Sequence, residues 1–262
     1  FSRDVKPDVS SDLFDIDGVG ATAGVAYGFN NGTIGIAGNY SRPRAKFVGD
    51  VSRTEANSYQ IGGFAGFALA GAFAQGYVGY GWDDMDLERQ GVVENMTADT
   101  DGSHWLAGAK AGYLMPLGTM RFGPVIALDY AKAKVDGYTE TGDAALNLNV
   151  SSVSAKSLTG GVGAELRGDF DTGGMSVRPY LSAMVEKQLL DGDRTVRFAQ
   201  TSAPGIVNSW TFDQSKKAYG RISGGGSAAI LKGVTLNTVL STTVGRKDGN
   251  DVSGQVGLNI GF

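Results

Sequence analysis

The sequence predicts an all-β chain, an antiparallel up-and-down barrel of about twelve strands that crosses a membrane. Three observations predict it. Apolar residues recur at every second position through segments roughly ten or more residues long. That length suits a tilted membrane strand and exceeds the ~5–6 residues usual in soluble ones. Several of these stripes end in an aromatic residue, and the connections between them alternate between short and long. Side chains in a strand point to opposite faces with period two, so each stripe is one face of one strand.

The first stripe is Val19, Ala21, Ala23, Val25, Tyr27 and Phe29, set against Gly20, Thr22, Gly24, Ala26 and Gly28. A glycine-richer strand near Ile34–Tyr40 follows, then Tyr59, Ile61, Gly63, Ala65, Phe67 and Leu69, and a strand near Phe73–Trp82. Next come Trp105, Ala107, Ala109, Ala111, Tyr113 and Met115, then Phe122, Pro124, Ile126, Leu128 and Tyr130, with Asp129 turned the other way. Leu158, Gly160, Val162, Ala164, Leu166 and Phe170 stand opposite Thr159, Glu165, Arg167 and Asp169. Val177, Pro179, Leu181, Ala183 and Val185 stand opposite Arg178, Tyr180, Ser182 and Glu186. A strand near Tyr219–Ile230 and the stripe Val234, Leu236, Thr238, Leu240, Thr242 and Val244 precede the last strand. There Val256, Leu258, Ile260 and Phe262 face one way, and Gln255, Gly257, Asn259 and Gly261 the other.

Aromatics at stripe ends, such as Tyr27, Phe29, Tyr40, Tyr59, Trp105, Tyr113, Tyr130 and Phe262, suit the interfacial girdles of a membrane barrel. A soluble sandwich would more often bury its aromatics in mid-strand. The opposite faces are small, polar or charged, which suits a wet lumen.

Short connections fall at Asn30–Gly32, Ala70–Gly71, Met115–Gly118, Asp171–Gly174 and Leu231–Gly233, where glycine and asparagine supply tight-turn geometry. Longer polar ones are expected at Pro43–Thr54, Asp83–Asp101, Ala133–Ala155 and Leu190–Lys217, with a short member at Arg246–Asp251. In outer-membrane barrels the short turns are periplasmic and the long loops extracellular. With the C-terminus periplasmic, the stripes count back to eleven strands, the earliest from about Asp15 to Phe29. Single-chain bacterial barrels carry an even number. A twelfth strand is therefore expected from Phe1 to about Val9, turning at Ser10–Ser11.

Composition narrows the function. At 262 residues the chain fits one domain, and its 41 glycines lack a collagen period. It has no cysteine, so disulfides, thiol nucleophiles and cysteine-bound metals are excluded. A net charge of -4 argues against a nucleic-acid partner. His104 is the only histidine; beside Trp105 at a loop edge, it reads as interfacial or solvated. Asp83, Asp84, Asp86, Glu88, Asp99 and Asp101 lack EF-hand spacing and read as a solvated acidic loop. Gly224-Gly225-Gly226 lies in a strand and reads as close packing or curvature, not phosphate binding. No catalytic residue, metal site or cofactor is expected. Lys110, Asp129, Glu165, Arg167, Arg178, Glu186 and Arg221 are the expected lumen lining. They either hold a polypeptide by polar contacts or pair across the wall and rigidify it.

The ending Gln255-x-Gly257-x-x-Ile260-x-Phe262 resembles the C-terminal signal read by the barrel-assembly machinery of the outer membrane. Nearly the whole chain resembles the translocator β-domain of an autotransporter, the type V secretion system. The resemblance rests on Gly137-Tyr-Thr-Glu140, Leu158-Thr-Gly-Gly-Val-Gly-Ala-Glu165, Arg178-Pro-Tyr-Leu181 and Gly257-Leu-Asn-Ile-Gly-Phe262, in that order. The Tyr-Thr-Glu region is most similar to the esterase-type members, whose passenger is a serine hydrolase.

The resemblance implies a twelve-stranded outer-membrane barrel, residues 1–262, that anchors, exports and displays an N-terminal passenger. Its partners would be membrane lipid, the assembly machinery and its own passenger or linker polypeptide in the lumen. The passenger and linker helix are not visible in this chain, and the lumenal acids and asparagine of self-cleaving members have no match. The alternative is a small passive channel or adhesin barrel without a passenger.

Overall fold

The computed structural model describes residues 2–4, 14–47, 51–172, 175–190, 194–212, 217–231, 233–246 and 250–261. In chain order the strands begin with β1 (Ser2–Asp4), β2 (Phe14–Phe29), β3 (Gly32–Phe47), β4 (Ser52–Leu69), β5 (Ala72–Arg89) and β6 (Met96–Tyr113). They continue with β7 (Met115–Leu117), β8 (Met120–Val135), β9 (Tyr138–Thr139), β10 (Leu148–Val150), β11 (Val153–Gly168) and β12 (Phe170–Thr172). The last are β13 (Met175–Gln188), β14 (Arg194–Gln200), β15 (Asn208–Phe212), β16 (Tyr219–Leu231), β17 (Val234–Val244) and β18 (Asn250–Ile260).

Twelve of these pair antiparallel in one ring: β1, β2, β3, β4, β5, β6, β8, β11, β13, β16, β17 and β18. β1 closes it, with Arg3 in register with Asp251 of β18 on one side and Ile16 of β2 on the other. β1 thus takes the place that the even-number argument assigned to a twelfth strand. Phe1, Val9 and the expected turn at Ser10–Ser11 lie outside the described residues. The three-residue β7 and β12 fold back onto β8 and β13 at the short-turn end. Phe170 therefore belongs to that fold-back and not to the long stripe, because β11 stops at Gly168. Among the described residues β1 joins the two ends of the sheet over Ser2–Asp4, and beyond that junction Gly18–Phe29 of β2 and Ser253–Ile260 of β18 pair on one side only, with β3 and β17. A ring paired all round is the condition for a sheet to cross hydrocarbon.

The two faces are inverted relative to a water-soluble protein. Val19, Val25 and Val256 are 81%, 66% and 75% exposed on the outside, whereas Glu165, Ser182 and Thr243 are 2%, 2% and 1% exposed inside. A continuous apolar exterior over a polar interior calls for lipid as the outer solvent. Tyr40, Tyr59 and Trp82 occupy one cross-strand row on that exterior, with ring centroids 5.2 and 6.1 Å apart. Tyr80 and Trp105 pair beside them at 4.9 Å. Such a contiguous aromatic band suits a membrane–water interface.

The long connections differ from the loops expected. β5 and β6 stay paired from Asp83↔Gly102 out to Arg89↔Met96, so most of Asp83–Asp101 is hairpin. β3 likewise runs to Phe47 and β4 starts at Ser52, within the expected loop Pro43–Thr54. The polar composition marks where lipid ends, not where pairing ends, because a solvated strand carries alternating charges as readily as a loop does.

Inside the two longest connections, β9, β10, β14 and β15 form a second small sheet. It is clasped to the β5 hairpin by Arg89, whose Nε donates to Glu140 Oε1 at 3.0 Å and whose guanidinium also donates to the Leu146 carbonyl at 2.8 Å. Glu140 also accepts the Leu148 amide at 2.9 Å. The hydrogen bonds to Glu140 raise the Arg89 pKa above its ordinary value.

Candidate functional site: the barrel lumen

Contacts between strands that are not neighbours identify the interior. Lys110 on β6 reaches past β8 to pair with Glu165 on β11, and its ammonium lies 3.5 Å from the Ser182 hydroxyl on β13. Arg167 of β11 lies over the Phe73 ring of β5, 4.1 Å from its centroid. Such reaches are possible only across the enclosed space.

Two ionic centres organise one side of it. Glu165, 2% exposed, accepts from both Lys110 and Arg167, the latter at 2.6 Å. Glu186 accepts from Arg221 Nε at 2.8 Å, and Arg221 also reaches Ser241, which lies 3.3 Å from Ser223. One inward row beyond Glu186, away from the short turns, Asp129 accepts the Tyr77 hydroxyl at 2.9 Å, and Thr159 donates to Gln188 at 3.0 Å. Alternation supplies this arrangement: Tyr77, Gly108, Asp129 and Thr159 form one cross-strand row, so a tyrosine on β5 reaches an aspartate two strands away over a glycine. A buried apolar cluster of Phe73, Leu114, Val125 and Met184 fills the interior nearer the short turns.

Facing the ionic wall is a smooth one. The inward side of β2 is Gly20, Thr22, Gly24, Ala26 and Gly28, and Asn39 donates to Thr22 Oγ1 at 2.7 Å. A cavity of ≈ 700 Å³ remains beside the ionic centres, with Lys110, Asp129, Glu186 and Arg221 on its wall. Charges here avoid the ~2–4 kcal/mol that Arg or Lys costs at the lipid midplane. The wall itself is tightly built at Gly225, where a Cβ would sit 2.1 Å from the Thr238 carbonyl oxygen. Any side chain there would push β16 from β17.

Of the seven residues expected to line the lumen, Lys110, Asp129, Glu165, Glu186 and Arg221 gather around the cavity or its ionic centres, and Arg167 joins them through Glu165. Arg178 is on the same face of β13 but eight residues from Glu186, at the short-turn rim, where it meets Asp169 at 3.3 Å. Ser182, Ser241, Thr159, Gln188 and Tyr77 complete the network. Their inward parity marks them, but a search for formal charge alone passes over them. His104 is not at a loop edge: it lies on the inward face of β6, with Nδ1 2.9 Å from Asp83 Oδ2, because the hairpin continues beyond it. In β18, Ile260 points outward and is 68% exposed, on the face opposite Gln255 and Gly257. Phe262 lies outside the described residues.

A β-ring with an apolar exterior and a charged, partly open interior defines a membrane-spanning barrel with a wet lumen. The chain belongs to the autotransporter β-domain family, whose model matches residues 3–241. It is an outer-membrane anchor and translocation domain for a passenger. It is 29% identical over 195 residues to an uncharacterised protein of the trpE–trpG intergenic region of Pseudomonas putida, covering 71% of this chain and 32% of that protein. It is 25% identical over 200 residues to the esterase EstA of Pseudomonas aeruginosa, covering 73% of this chain and 30% of the esterase. The chain thus spans about a third of the length of these relatives. The translocator domain of the autotransporter NalP from Neisseria meningitidis superposes with a TM-score of 0.76 at 19% identity, over 100% of this chain and 85% of that one.

Proposed function

We propose that this barrel exports an N-terminal passenger through its lumen and then displays it, with the short turns and C-terminus periplasmic and the long hairpins extracellular. The observation that carries this reading is the two-sided lumen. An ionic wall on β6, β8, β11, β13 and β16 faces a nearly side-chain-free wall on β2, with ≈ 700 Å³ open along the first. An extended or helical linker would lie against the smooth wall and turn its polar groups toward Lys110, Asp129, Glu186 and Arg221. Glu165, Arg167 and Arg178 complete the lining as supports of that wall and its rim.

Gln255, Gly257, Ile260 and Phe262 would present the last strand to the assembly machinery, and the outward stripes would meet outer-membrane lipid. The barrel itself performs no chemistry; a hydrolase activity, as in the esterase-type relatives, would reside in the passenger.

Fusing a reporter domain ahead of Ser2 and adding protease to intact cells tests the reading. The fusion should be cleaved from outside while the barrel stays folded. A folded, membrane-inserted barrel with a fully shielded reporter would instead favour a passive channel.

A further inference from the structure

We infer that the outward face of β8 and β11 carries a site for the phosphate groups of an anionic glycolipid. This rests on the proposed orientation, which turns that end of the barrel to the outer leaflet. On β8 the outward residues Phe122, Pro124, Ile126, Leu128 and Tyr130 form a nine-residue stripe, close to the ~9–11 residues that cross a bilayer. The next outward position is Lys132. On β11 the outward stripe from Leu166 back to Leu158 has the same length, and the next outward position is Lys156. Both lysines therefore emerge where hydrocarbon gives way to headgroups.

Lys132 and Lys156 are direct cross-strand partners, and Trp105 adjoins Lys132 in the same row. The next row outward is Ser103, Lys134 and Ser154. Like charges directly opposed across a sheet repel. Among the described residues, neither Lys132 nor Lys156 meets a carboxylate, and of the three lysines Lys134 alone does, Asp136 at 2.6 Å.

The contrast on β3 and β4 is informative. There Arg42, Arg44 and Arg53 are likewise outward and close to the aromatic band, but all three converge on Glu55. There each guanidinium has a carboxylate oxygen to meet, whereas here two facing ammonium groups have none among the described residues and stand beside an interfacial tryptophan and two hydroxyls. A phosphate between Lys132 and Lys156 would relieve their repulsion and accept charge-assisted hydrogen bonds, with Lys134, Ser103 and Ser154 in the adjoining row. Acyl chains of the same lipid would run down the apolar stripes. A lipid headgroup, and not a soluble anion, is the occupant because the lysines continue those stripes.

Native mass spectrometry of the folded barrel in neutral detergent, titrated with bisphosphorylated lipid A, tests this. The double variant Lys132→Gln/Lys156→Gln should bind at least tenfold more weakly, with Arg42→Gln/Arg44→Gln unchanged and heat-modifiable migration intact in both. Equal binding by the lysine variant, or equal binding of lipid A stripped of its phosphates, would overturn the site. Labelling of Ser151→Cys on intact cells with an impermeant maleimide checks the leaflet separately. Labelling supports the glycolipid as the source. Its absence, with lipid binding intact in detergent, would overturn that source because this end would face the periplasmic leaflet.

Discussion

Glu165 shows how a charge is kept inside a membrane barrel. Its carboxylate is almost wholly enclosed, and two cations from different strands meet it. Removing one member of a buried ion pair costs about 3–5 kcal/mol, chiefly because the partner stays buried and unpaired. Lys110 and Arg167 keep some solvent contact, so the lower end applies. Glu165→Gln is expected to destabilise the barrel by about 3 kcal/mol, read as a fall in the urea midpoint of tryptophan fluorescence in detergent. An unchanged midpoint would mean that lumenal water already screens both cations. The charge of Glu165 and its inward facing were legible from alternation against Leu166 and Ala164. Arg167, the next residue on the same inward stripe, was legible too; Lys110 was not, because it comes from β6 and no local pattern encodes a reach across the lumen.

Period two identified each long strand and its lipid face, since a slip of one residue would turn every stripe inward. Strand ends were less legible. The hairpin of β5 and β6 continues through Asp84, Asp86 and Glu88, whose polarity suggests a loop although their backbones remain paired. The tight turn after β4 was readable, because Ala70 and Gly71 adopt φ values of 50° and 88°, which the glycine anticipates.

The small sheet of β9, β10, β14 and β15 had no sequence signal beyond connection length. The Arg89–Glu140 pair and a backbone bridge between Thr97 and Thr141 tie it to the β5–β6 hairpin. Glu140→Gln should therefore speed trypsin cleavage after Arg197 of β14 by about tenfold, without changing the heat-modifiable migration of the barrel. An arginine stays charged at any working pH, so loss of the glutamate charge leaves a cation facing neutral partners. Cleavage at the native rate would show that backbone pairing alone holds the sheet.

At the scale of the molecule, an even strand number and alternating connection lengths lead to a ring, and β1 between β18 and β2 joins its ends over Ser2–Asp4. The asymmetry of the interior was not legible in any one strand. It arises because inward-facing bulk and charge are concentrated from β5 to β17, whereas the inward face of β2 is nearly bare. That asymmetry is the basis for reading the lumen as a conduit and not merely a polar core.

Site-specific photo-crosslinking during export tests this reading most directly, with the probe placed at inward Thr22 and, as a control, at outward Val25. The account predicts adducts between Thr22 and the segment fused ahead of Ser2, and none from Val25. Equal adducts from both positions, or none from Thr22 while the passenger still reaches the surface, would contradict transport through this lumen.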